Sequence, residues 1–493
     1  MFLGVDLGLG SLKAVLIDRR GRVLNEASRA VSTRSPEDGR AEQDPVEWGA
    51  AMQGALADLG AMRPLAQVEA ISFTAGTHTA VLLDRGGAVV RPPILWADQR
   101  AGAEAIELND RMGDRLLTVA HNVAAATWSI APLYWLQRHE PHATARVARV
   151  QFVKDWLRSQ LTGDRLTDHI DAQGSLLLDV DRGQWSPELC AAIGWPVDTL
   201  PEVRRPTDLA GTVTVQAAAR YGLRAGTPVY VGTCDTAAEV WAAGATQPGD
   251  TVIKLASAGV VNIVGNAPTK RRDSPSKAFV IPGQFYALGA INSCATGHKW
   301  LSDLLLGEDA DDAAFSGLDR LAQAVAPGAE GLLFHPYLRG ERAPYWDPQL
   351  RASFVGLTIR HGRSHLVRAF YEGIALALRD AARPLRDAGL SLGPVALIGG
   401  GARSDLWAQM IADVFDLPVR RPLYGDASYG AALLAAVGAG AFAGPAEAVQ
   451  ACVRYAEPLT PRPDRVARYS LLFERYRRVK DLLTALNHEI SGG

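Results

Sequence analysis

A strand–turn–strand pattern occurs twice in this chain, once at its start and once just past the middle. Residues 2–17 read FLGVDLGLGSLKAVLI, which is an apolar strand, the acid Asp6, a glycine-rich turn and a second apolar strand. Residues 251–264 read TVIKLASAGVVNIV, with a strand, a turn of small residues and another strand in the same order. Because backbone N–H groups in such turns can bind phosphate oxygens, the repeat predicts two related domains and favours a nucleotide-dependent phosphotransferase.

The composition is typical of a soluble globular protein. Its 493 residues predict two to four domains, and its net charge of −2 gives no reason to expect a nucleic acid partner. The start of the chain lacks the basic region of a signal peptide. The apolar stretch 430–445 is short and rich in alanine and glycine, which favours a buried helix over a membrane span. Four widely spaced cysteines match neither a zinc site nor a disulfide framework and indicate a cytoplasmic protein.

Hydrophobic periodicity outlines an alternation of strands and helices. Strands are predicted at residues 2–6, 14–17, 68–74, 80–83, 151–154, 229–231 and 394–398, and helices at residues 45–59, 131–139, 364–379 and from Ser404 onward. Residues 176–201 have the pattern of an insertion on the first domain. A stretch with glycine and proline at 240–249 is a linker candidate, so we predict one domain over residues 1–245 and another over 246–493.

Two glycine-rich turns are candidate ligand sites. The first, GLGSLK at residues 8–13, begins like a dinucleotide-binding motif, but Lys13 replaces the third glycine and a strand pattern follows. A hairpin turn with exposed N–H groups fits better, and a purely structural hairpin is the alternative. The second, GGGARS at residues 399–404, lies between a strand and a helix start. Its glycines would let a ligand approach the backbone, or they serve packing alone.

Several single residues have both a chemical and a structural interpretation. Asp235 lies where a short strand gives way to a helix, so its carboxylate could serve as a base or cap the helix. Asp6 could hold a metal or form a turn. His78 could contact a ligand or lie in the core, and Trp96 could line a pocket or the core. Cys234 is most simply a small buried residue.

A series of segments resembles the FGGY family of carbohydrate kinases over nearly the whole chain. These segments are GVDLGLGSLKAVLID, AEQDPVEW, THTAVLLD, PPILWADQR, VKDWL, CDTAAE, GERAPYWDP, GLTIRHGRSHLVRAFYEGIALALRD and IGGGARSDLWAQMIADV. The three motifs GERAPYWDP, GLT…EG and GGGARSDLW are highly specific as a set. The resemblance implies an α/β fold with two actin-like (ribonuclease H-like) domains and an active site in the cleft between them.

The resemblance also implies roles for individual residues. Asp235 matches the catalytic base and Asp6 the acid near Mg²⁺, so both are expected to take part in catalysis and metal binding. The residues expected to contact the sugar are Thr77, His78, Trp96, Asp235 and Thr236. The residues expected on the nucleotide side are Gly8, Gly10, Ser11, Lys13, Ser257, Ala258, Gly259, Lys299, Gly400, Gly401 and Ser404.

The chain departs from the family pattern at several places. On the phosphate side, Leu9 stands where the family commonly has Thr or Ser, and Ala256 begins a turn that is often GTS. On the sugar side, Thr77 replaces a common Met, Pro132 replaces a Lys, and Thr236 replaces an Asn or Gln. The sugar-side changes bear on which sugar is bound.

The implied reaction is phosphorylation of a sugar hydroxyl by ATP with Mg²⁺, and D-xylulose is the expected acceptor. Ribulose, erythritol and glycerol are alternative acceptors of the same class. The fold could also serve as a weakly active sugar- or nucleotide-sensing module, although neither terminus has a basic helix-turn-helix pattern. The resemblance makes a homodimer possible.

Overall fold

The computed structural model describes residues 1–307 and 312–491, which belong to two compact units. The first unit comprises Met1–Thr246, Asn266–Tyr286 and Tyr424–Val453. The second unit comprises Gln247–Gly265, Ala287–Leu423 and Arg454–Gly493. The first crossing from one unit to the other lies one residue beyond the predicted boundary at 245/246. Two later segments return to the first unit, so each unit is built from three pieces of chain.

The strands follow the chain in this order. They are β1 (Phe2–Leu7), β2 (Ser11–Ile17), β3 (Val23–Ala30), β4 (Ala70–Ala75), β5 (Ala80–Leu83), β6 (Arg149–Phe152), β7 (Leu166–Asp168), β8 (Leu178–Asp179), β9 (Gln184–Trp185), β10 (Glu202–Arg204), β11 (Leu209–Thr212), β12 (Pro228–Tyr230), β13 (Thr233–Cys234), β14 (Thr251–Leu255), β15 (Gly259–Gly265), β16 (Ser276–Ala278), β17 (Phe285–Ile291), β18 (Leu333–His335), β19 (Ser353–Val355), β20 (Val395–Ile398) and β21 (Val419–Arg420).

The helices lie between and after these strands. They are α1 (Pro45–Met62), α2 (Gly102–Val119), α3 (Ile130–His139), α4 (Pro141–Thr144), α5 (Val153–Thr162), α6 (His169–Gly174), α7 (Pro187–Ala192), α8 (Val215–Tyr221), α9 (Asp235–Ala242), α10 (Ala295–Leu306), α11 (Asp312–Gln323), α12 (Arg363–Ala381), α13 (Arg383–Asp387), α14 (Asp405–Phe415), α15 (Ala427–Gly438), α16 (Pro445–Cys452) and α17 (Pro463–Ser491), with 3₁₀ turns at Leu65–Gln67, Val197–Thr199, Ala329–Gly331 and Gly400–Arg403.

The main sheet of the first unit is mixed. Its strand order is β11-β12-β4-β1-β2-β3, and β13 also pairs with β4. β1 is antiparallel to β2 and parallel to β4, and β4 is parallel to both β12 and β13. The register aligns Asp6 with Thr74 and Thr74 with Thr233. The carboxyl ends of β1, β4 and β13 therefore lie at one edge, which is where open α/β sheets bind their ligands.

The second unit repeats the central part of this arrangement. Its sheet contains, in order, β17, β15, β14, β20 and β21. β14 is antiparallel to β15 and parallel to β20, as β1 is to β2 and β4. The predicted α/β class, with one hairpin of this kind in each half of the chain, is confirmed.

Helix α15 forms much of the support beneath the first sheet. It packs against β1 so closely that a Cβ on Gly4 would lie 2.0 Å from the Ser428 carbonyl oxygen and 2.4 Å from the Ala432 nitrogen. This contact explains the small residues in the first part of the stretch 430–445, which the sequence predicted to be a buried helix; the helix itself ends at Gly438. In the described part of the chain, no helix combines the length and the apolar character needed to cross a bilayer.

The structure moves some predicted boundaries by a few residues. The strand predicted at 151–154 ends at Phe152, because Val153 already begins α5. This early start places Lys154 and Arg158 in one buried helix, where both pair with the side chain of Asp155. The predicted strand at 229–231 is β12, and the two-residue strand β13 that follows it had no prediction.

Candidate functional site

The carboxyl edge of three parallel strands in the first unit gathers the predicted catalytic and sugar-side residues. Asp6 lies at the end of β1, the pair Thr77 and His78 follows β4, and Asp235 follows β13. The parallel register brings these three strand ends together, although they are far apart in sequence. One sheet edge therefore carries both predicted acids and the predicted sugar contacts.

Asp235 is the first residue of α9, and Cys234 occupies the capping position before it. Its Oδ1 accepts hydrogen bonds from the Thr236 backbone N–H at 2.6 Å and from the Thr236 hydroxyl at 3.2 Å. Among residues 1–307 and 312–491, no donor contacts Oδ2. The side chain is only half-buried. The carboxylate is thus oriented through one oxygen while the other stays available to accept a proton.

Asp6 lies among other acids. Its Oδ1 accepts a hydrogen bond of 2.9 Å from the Thr74 hydroxyl, which belongs to the neighbouring strand. Burial raises the pKa of Asp6 well above its usual range, and the charges of Asp235, Glu239 and Asp426 raise it further. A cation bound near these carboxylates would offset this unfavourable concentration of negative charge.

His78 is held in a strained conformation by its surroundings. Its φ of 45° lies in the left-handed region, which residues other than glycine rarely adopt. Its backbone N–H donates to Asp171 Oδ1 at 2.6 Å, its carbonyl accepts from the Ser129 hydroxyl, and its ring stacks on Trp128 at 5.2 Å between centroids. Burial and the nearby Lys277 ammonium hold the pKa of His78 well below its usual range, so the imidazole is neutral. Such strain persists mainly at functional sites, which favours a ligand contact over a core histidine.

Trp96 lies beside the segment that leads into His78. A Cβ on Gly76 would lie 2.9 Å from Trp96 Nε1, so the indole edge rests directly on this backbone. The residue is 37% exposed. It is therefore partly exposed next to the backbone that precedes Thr77 and is not a core residue, and its contact with the sugar stays a prediction.

A buried ion network beneath His78 had no counterpart in the sequence analysis. Lys154 Nζ lies 2.5 Å from Asp155 Oδ1, 3.0 Å from Asp168 Oδ2 and 3.6 Å from Asp171 Oδ2. Burial alone would lower the pKa of Lys154, but these three carboxylates raise it overall, so the ammonium stays charged. The network fixes Asp171, which in turn holds the His78 backbone. The three-residue spacing of the acids at 168 and 171 is the signal that could have indicated a shared face.

The first glycine-rich turn leaves two backbone donors free. The Gly8 N–H closes the turn on the Ser11 carbonyl at 2.9 Å. The Leu9 carbonyl is fixed by the Thr33 hydroxyl and the Gln43 amide, each at 2.8 Å. Within the described residues, the N–H groups of Leu9 and Gly10 have no acceptor, and a Cβ on Gly10 would meet nothing within 4 Å. These open donors suit a phosphate group.

Lys13 follows this turn, but its ammonium is already paired. Its Nζ lies 2.7 Å from Asp426 Oδ2 and 2.8 Å from Glu26 Oε2. Burial would lower the pKa of Lys13, and the two carboxylates raise it overall. Its observed partners are these acids, and its assignment to the nucleotide stays a prediction.

The second turn, between β14 and β15, is tied to the start of α10. The Ser257 carbonyl accepts from the Cys294 N–H at 3.1 Å and the Thr296 hydroxyl at 3.0 Å, and the Ala256 carbonyl accepts from the Ala295 N–H at 2.8 Å. The Ser257 side chain is exposed. Further along α10, the exposed Lys299 pairs with Asp303 at 2.8 Å.

The glycine-rich segment after β20 lies next to this second turn in the same unit. A Cβ on Gly399 would lie 2.5 Å from the Leu255 carbonyl oxygen, and one on Gly401 would lie 2.7 Å from Leu255 Cβ. Gly400 has open space on its side-chain face. The Ser404 hydroxyl caps α14 by accepting from the Trp407 N–H at 3.0 Å. Gly400 therefore offers the accessible backbone, while Gly401 and Ser404 have structural partners.

Few side chains near Asp6 and Asp235 could bind a metal ion together with them. Within the described residues, no group of three or more histidine, cysteine or acidic side chains is close enough to hold a metal ion by itself. Asp6 and Asp235 nevertheless fit Mg²⁺, because this ion keeps several water and phosphate ligands and uses one or two carboxylates.

Comparison with known proteins gives one consistent result. Residues 1–241 match the N-terminal domain of the FGGY family of carbohydrate kinases, and residues 256–439 match its C-terminal domain. The xylulose kinase of Bacillus subtilis (strain 168) is 33% identical over 98% of both chains. The crystal structure of xylulose kinase from Rhodospirillum rubrum has a TM-score of 0.91 and 32% identity over 99% of both chains. A gluconokinase of Bacillus licheniformis is 28% identical over 88% of this chain and 86% of its own length. The protein therefore belongs to the FGGY family of carbohydrate kinases.

Proposed function

We propose that this ATP-dependent sugar kinase transfers the γ-phosphoryl group of ATP to the terminal hydroxyl of D-xylulose, giving D-xylulose 5-phosphate. The observation that carries the proposal is the common edge of β1, β4 and β13, where Asp6, the pair Thr77–His78 and Asp235 come together. The two xylulose kinases that resemble the chain over nearly its full length support the choice of acceptor.

In the proposed mechanism, Asp235 acts as the general base. Its Oδ1 is held by Thr236, so Oδ2 is free to accept the proton of the attacking sugar hydroxyl. Thr77 and His78 hold the sugar, and the exposed indole of Trp96 covers one side of it. Since phosphoryl transfer asks little covalent chemistry of the protein, these residues act chiefly by positioning the hydroxyl and accepting its proton.

Mg²⁺ would be held by Asp6 and Asp235. When bound, it neutralises charge on the phosphate oxygens. The converging acids that raise the pKa of Asp6 support this assignment, because a divalent cation would stabilise the ionised carboxylates.

The phosphates and the nucleoside would use different loops. The free N–H groups of Leu9 and Gly10 would donate to phosphate oxygens in the first unit. In the second unit, the exposed Ser257 and the open face of Gly400 are the contacts that we propose for ATP. The thiols of Cys190, Cys234 and Cys294 are free and buried, which fits a cytoplasmic location. The homodimer implied by the family resemblance stays a prediction.

The test is a coupled ADP-release assay with D-xylulose, other pentuloses, hexuloses and polyols. D-Xylulose should give the highest kcat/KM. A protein that binds sugar but releases no ADP with any of them would be a sensing module, and the kinase proposal would be wrong.

Replacement of Asp235 by asparagine tests the catalytic base. Asp235→Asn should lower kcat by about 10²–10⁴-fold, because the hydroxyl loses its proton acceptor, while ATP binding measured by calorimetry without Mg²⁺ changes little. Asp198→Asn is the matched control, since Asp198 is an exposed acid of the same unit. Near-normal turnover of Asp235→Asn would exclude this residue as the base.

A further inference from the structure

A buried lysine lies beside the sugar-side residues, and no sequence motif pointed to it. Lys277 is 3% exposed and belongs to β16, a part of the chain that returns to the first unit. Its Nζ donates to the Thr77 hydroxyl at 2.6 Å and lies 5.0 Å from the centre of the Trp128 ring. Thr77 and Trp128 are the same residues that flank His78.

The backbone of Lys277 is fixed on both sides by buried amides. The Asn122 side chain donates to the Ser276 carbonyl at 2.8 Å and accepts from the Ser276 N–H at 3.0 Å. The Gln173 side chain donates to the same carbonyl at 3.2 Å and accepts from the Ala278 N–H at 2.7 Å. These four hydrogen bonds fix the backbone on both sides of Lys277, and they therefore fix the point and the direction from which its side chain extends.

The tip of the side chain is confined as well. A Cβ on Gly174 would lie 2.9 Å from Lys277 Nζ and 2.9 Å from His78 Cδ2, so a glycine is needed where both side chains pass. Lys277 and His78 therefore lie side by side against α6.

The hydrogen-bonding capacity of this ammonium is largely unused. A lysine ammonium has three donors and no acceptor, and Thr77 takes one of them. In the described part of the chain, no carboxylate lies within 4.0 Å of Lys277 Nζ, and the Thr77 hydroxyl links it only indirectly to Asp171 Oδ1 at 3.5 Å. His78 Nδ1 is also buried without a hydrogen-bond partner. Buried polar groups usually have a hydrogen-bond partner, and an oxygen of a bound sugar could supply one to this ammonium.

We infer that Lys277 is a specificity-determining residue that donates a hydrogen bond to a carbonyl or carboxylate oxygen of the sugar. The inference rests on the proposed function, because it assumes that the sugar lies against Thr77 and His78. Charge-assisted hydrogen bonds are about twice as strong as neutral ones, and they strengthen with the negative charge on the acceptor. The substrate class is thus a ketose or an aldonic acid in preference to the corresponding alditol.

The experiment compares three five-carbon ligands that share the terminal hydroxyl: D-xylulose, D-xylonate and xylitol. Their affinities for the wild type and for Lys277→Met are measured by calorimetry without nucleotide. Methionine keeps the unbranched shape and most of the length of the side chain but removes the ammonium and its charge. D-Xylulose and D-xylonate should each bind about 10–100-fold more weakly to the variant, with the greater loss for D-xylonate, and xylitol should change less than about 3-fold.

Lys270→Met, seven residues earlier in the same segment, is the matched control and should leave all three affinities unchanged. Should Lys277→Met unfold, Lys277→Arg keeps the charge and should retain the preference for ketose and aldonate over alditol. An equal loss for all three ligands, no loss, or no binding of D-xylulose and D-xylonate to the wild type would overturn the inference. The proposed function is judged separately by ADP release, so sugar binding without phosphorylation would contradict only the kinase reaction.

Discussion

Glu341 is a residue whose burial should make the stability of the second unit depend on pH. It is 3% exposed and belongs to the GERAPYWDP motif. Its Oε1 accepts from the backbone N–H groups of Asn292 and Arg342, each at 2.8 Å, whereas its Oε2 has no partner in the described residues. Burial raises the pKa of Glu341 to about 8; the two N–H groups and the Arg342 guanidinium lower it in part, and Asp380 adds to the rise.

The folded protein therefore holds a proton at Glu341 that the unfolded chain releases near pH 4.5. The bound proton therefore stabilises the folded state. This contribution to the free energy of unfolding is complete below that pH and is lost as the pH rises towards about 8, with a slope of up to about 1.4 kcal/mol per pH unit. Glu341→Gln keeps the two backbone hydrogen bonds and removes the titration. Urea unfolding between pH 5 and pH 8 should show the decline in the wild type and in the exposed control Glu457→Gln, but not in Glu341→Gln. Parallel curves for all three proteins would contradict this expectation.

At the scale of single residues, the sequence indicates which side chains could carry out chemistry better than it indicates which residues surround them. Asp235 and Asp6 could be identified because each acid follows an apolar strand and precedes a turn or helix. Lys277 could not, because its contact with Thr77 spans 200 positions and depends on which segment returns to the first unit. The partner of Lys13 is equally remote, since Asp426 lies 413 positions away.

Among the elements, the β1–β2 hairpin contains one glycine that the fold requires, Gly4, and one that it does not, Gly10. Gly4 is required, because a Cβ there would overlap the backbone of α15. Gly10 has open space on its side-chain face, and its φ is not among the positive values. No contact within the described residues requires a glycine at position 10. A phosphate group that approaches the turn closely would require one, because a side chain there would be in its way.

Alanine at these two positions should therefore have opposite consequences. Gly10→Ala should leave the free energy of unfolding within about 0.5 kcal/mol of the wild type and raise the KM for ATP at least about 10-fold, because the methyl group occupies space next to the free N–H groups. Gly4→Ala should instead lose stability by about 1–3 kcal/mol or more through overpacking. Steady-state kinetics and urea unfolding check both. An unchanged KM for ATP in Gly10→Ala would mean that the phosphates do not approach this turn.

At the scale of the whole molecule, the two-domain α/β class could be predicted because the hairpin pattern is local and repeats. The composition of each unit could not be predicted in the same way. Residues 424–453 belong to the first unit through α15, where Tyr429 donates its hydroxyl proton to the Gly21 carbonyl at 2.9 Å and Asp426 pairs with Lys13. Such contacts join distant pieces of chain, and periodicity carries no information about them.

This arrangement predicts that a mutation late in the chain destabilises its beginning. A Cβ on Gly430 of α15 would lie 2.7 Å from the Ala238 carbonyl oxygen of α9, so Gly430→Val should cost about 1–3 kcal/mol by overpacking. Hydrogen exchange followed by mass spectrometry should then show faster exchange in β1, β4 and α9, while α12 in the second unit stays protected. Ala446→Val, at an exposed position of α16, should exchange like the wild type. The mutated residue lies 192 positions beyond Ala238 in the chain, so the expected effect is a long-range one. A loss of protection restricted to residues 287–423 would instead show that α15 supports the second unit and not the sheet that carries Asp6 and Asp235.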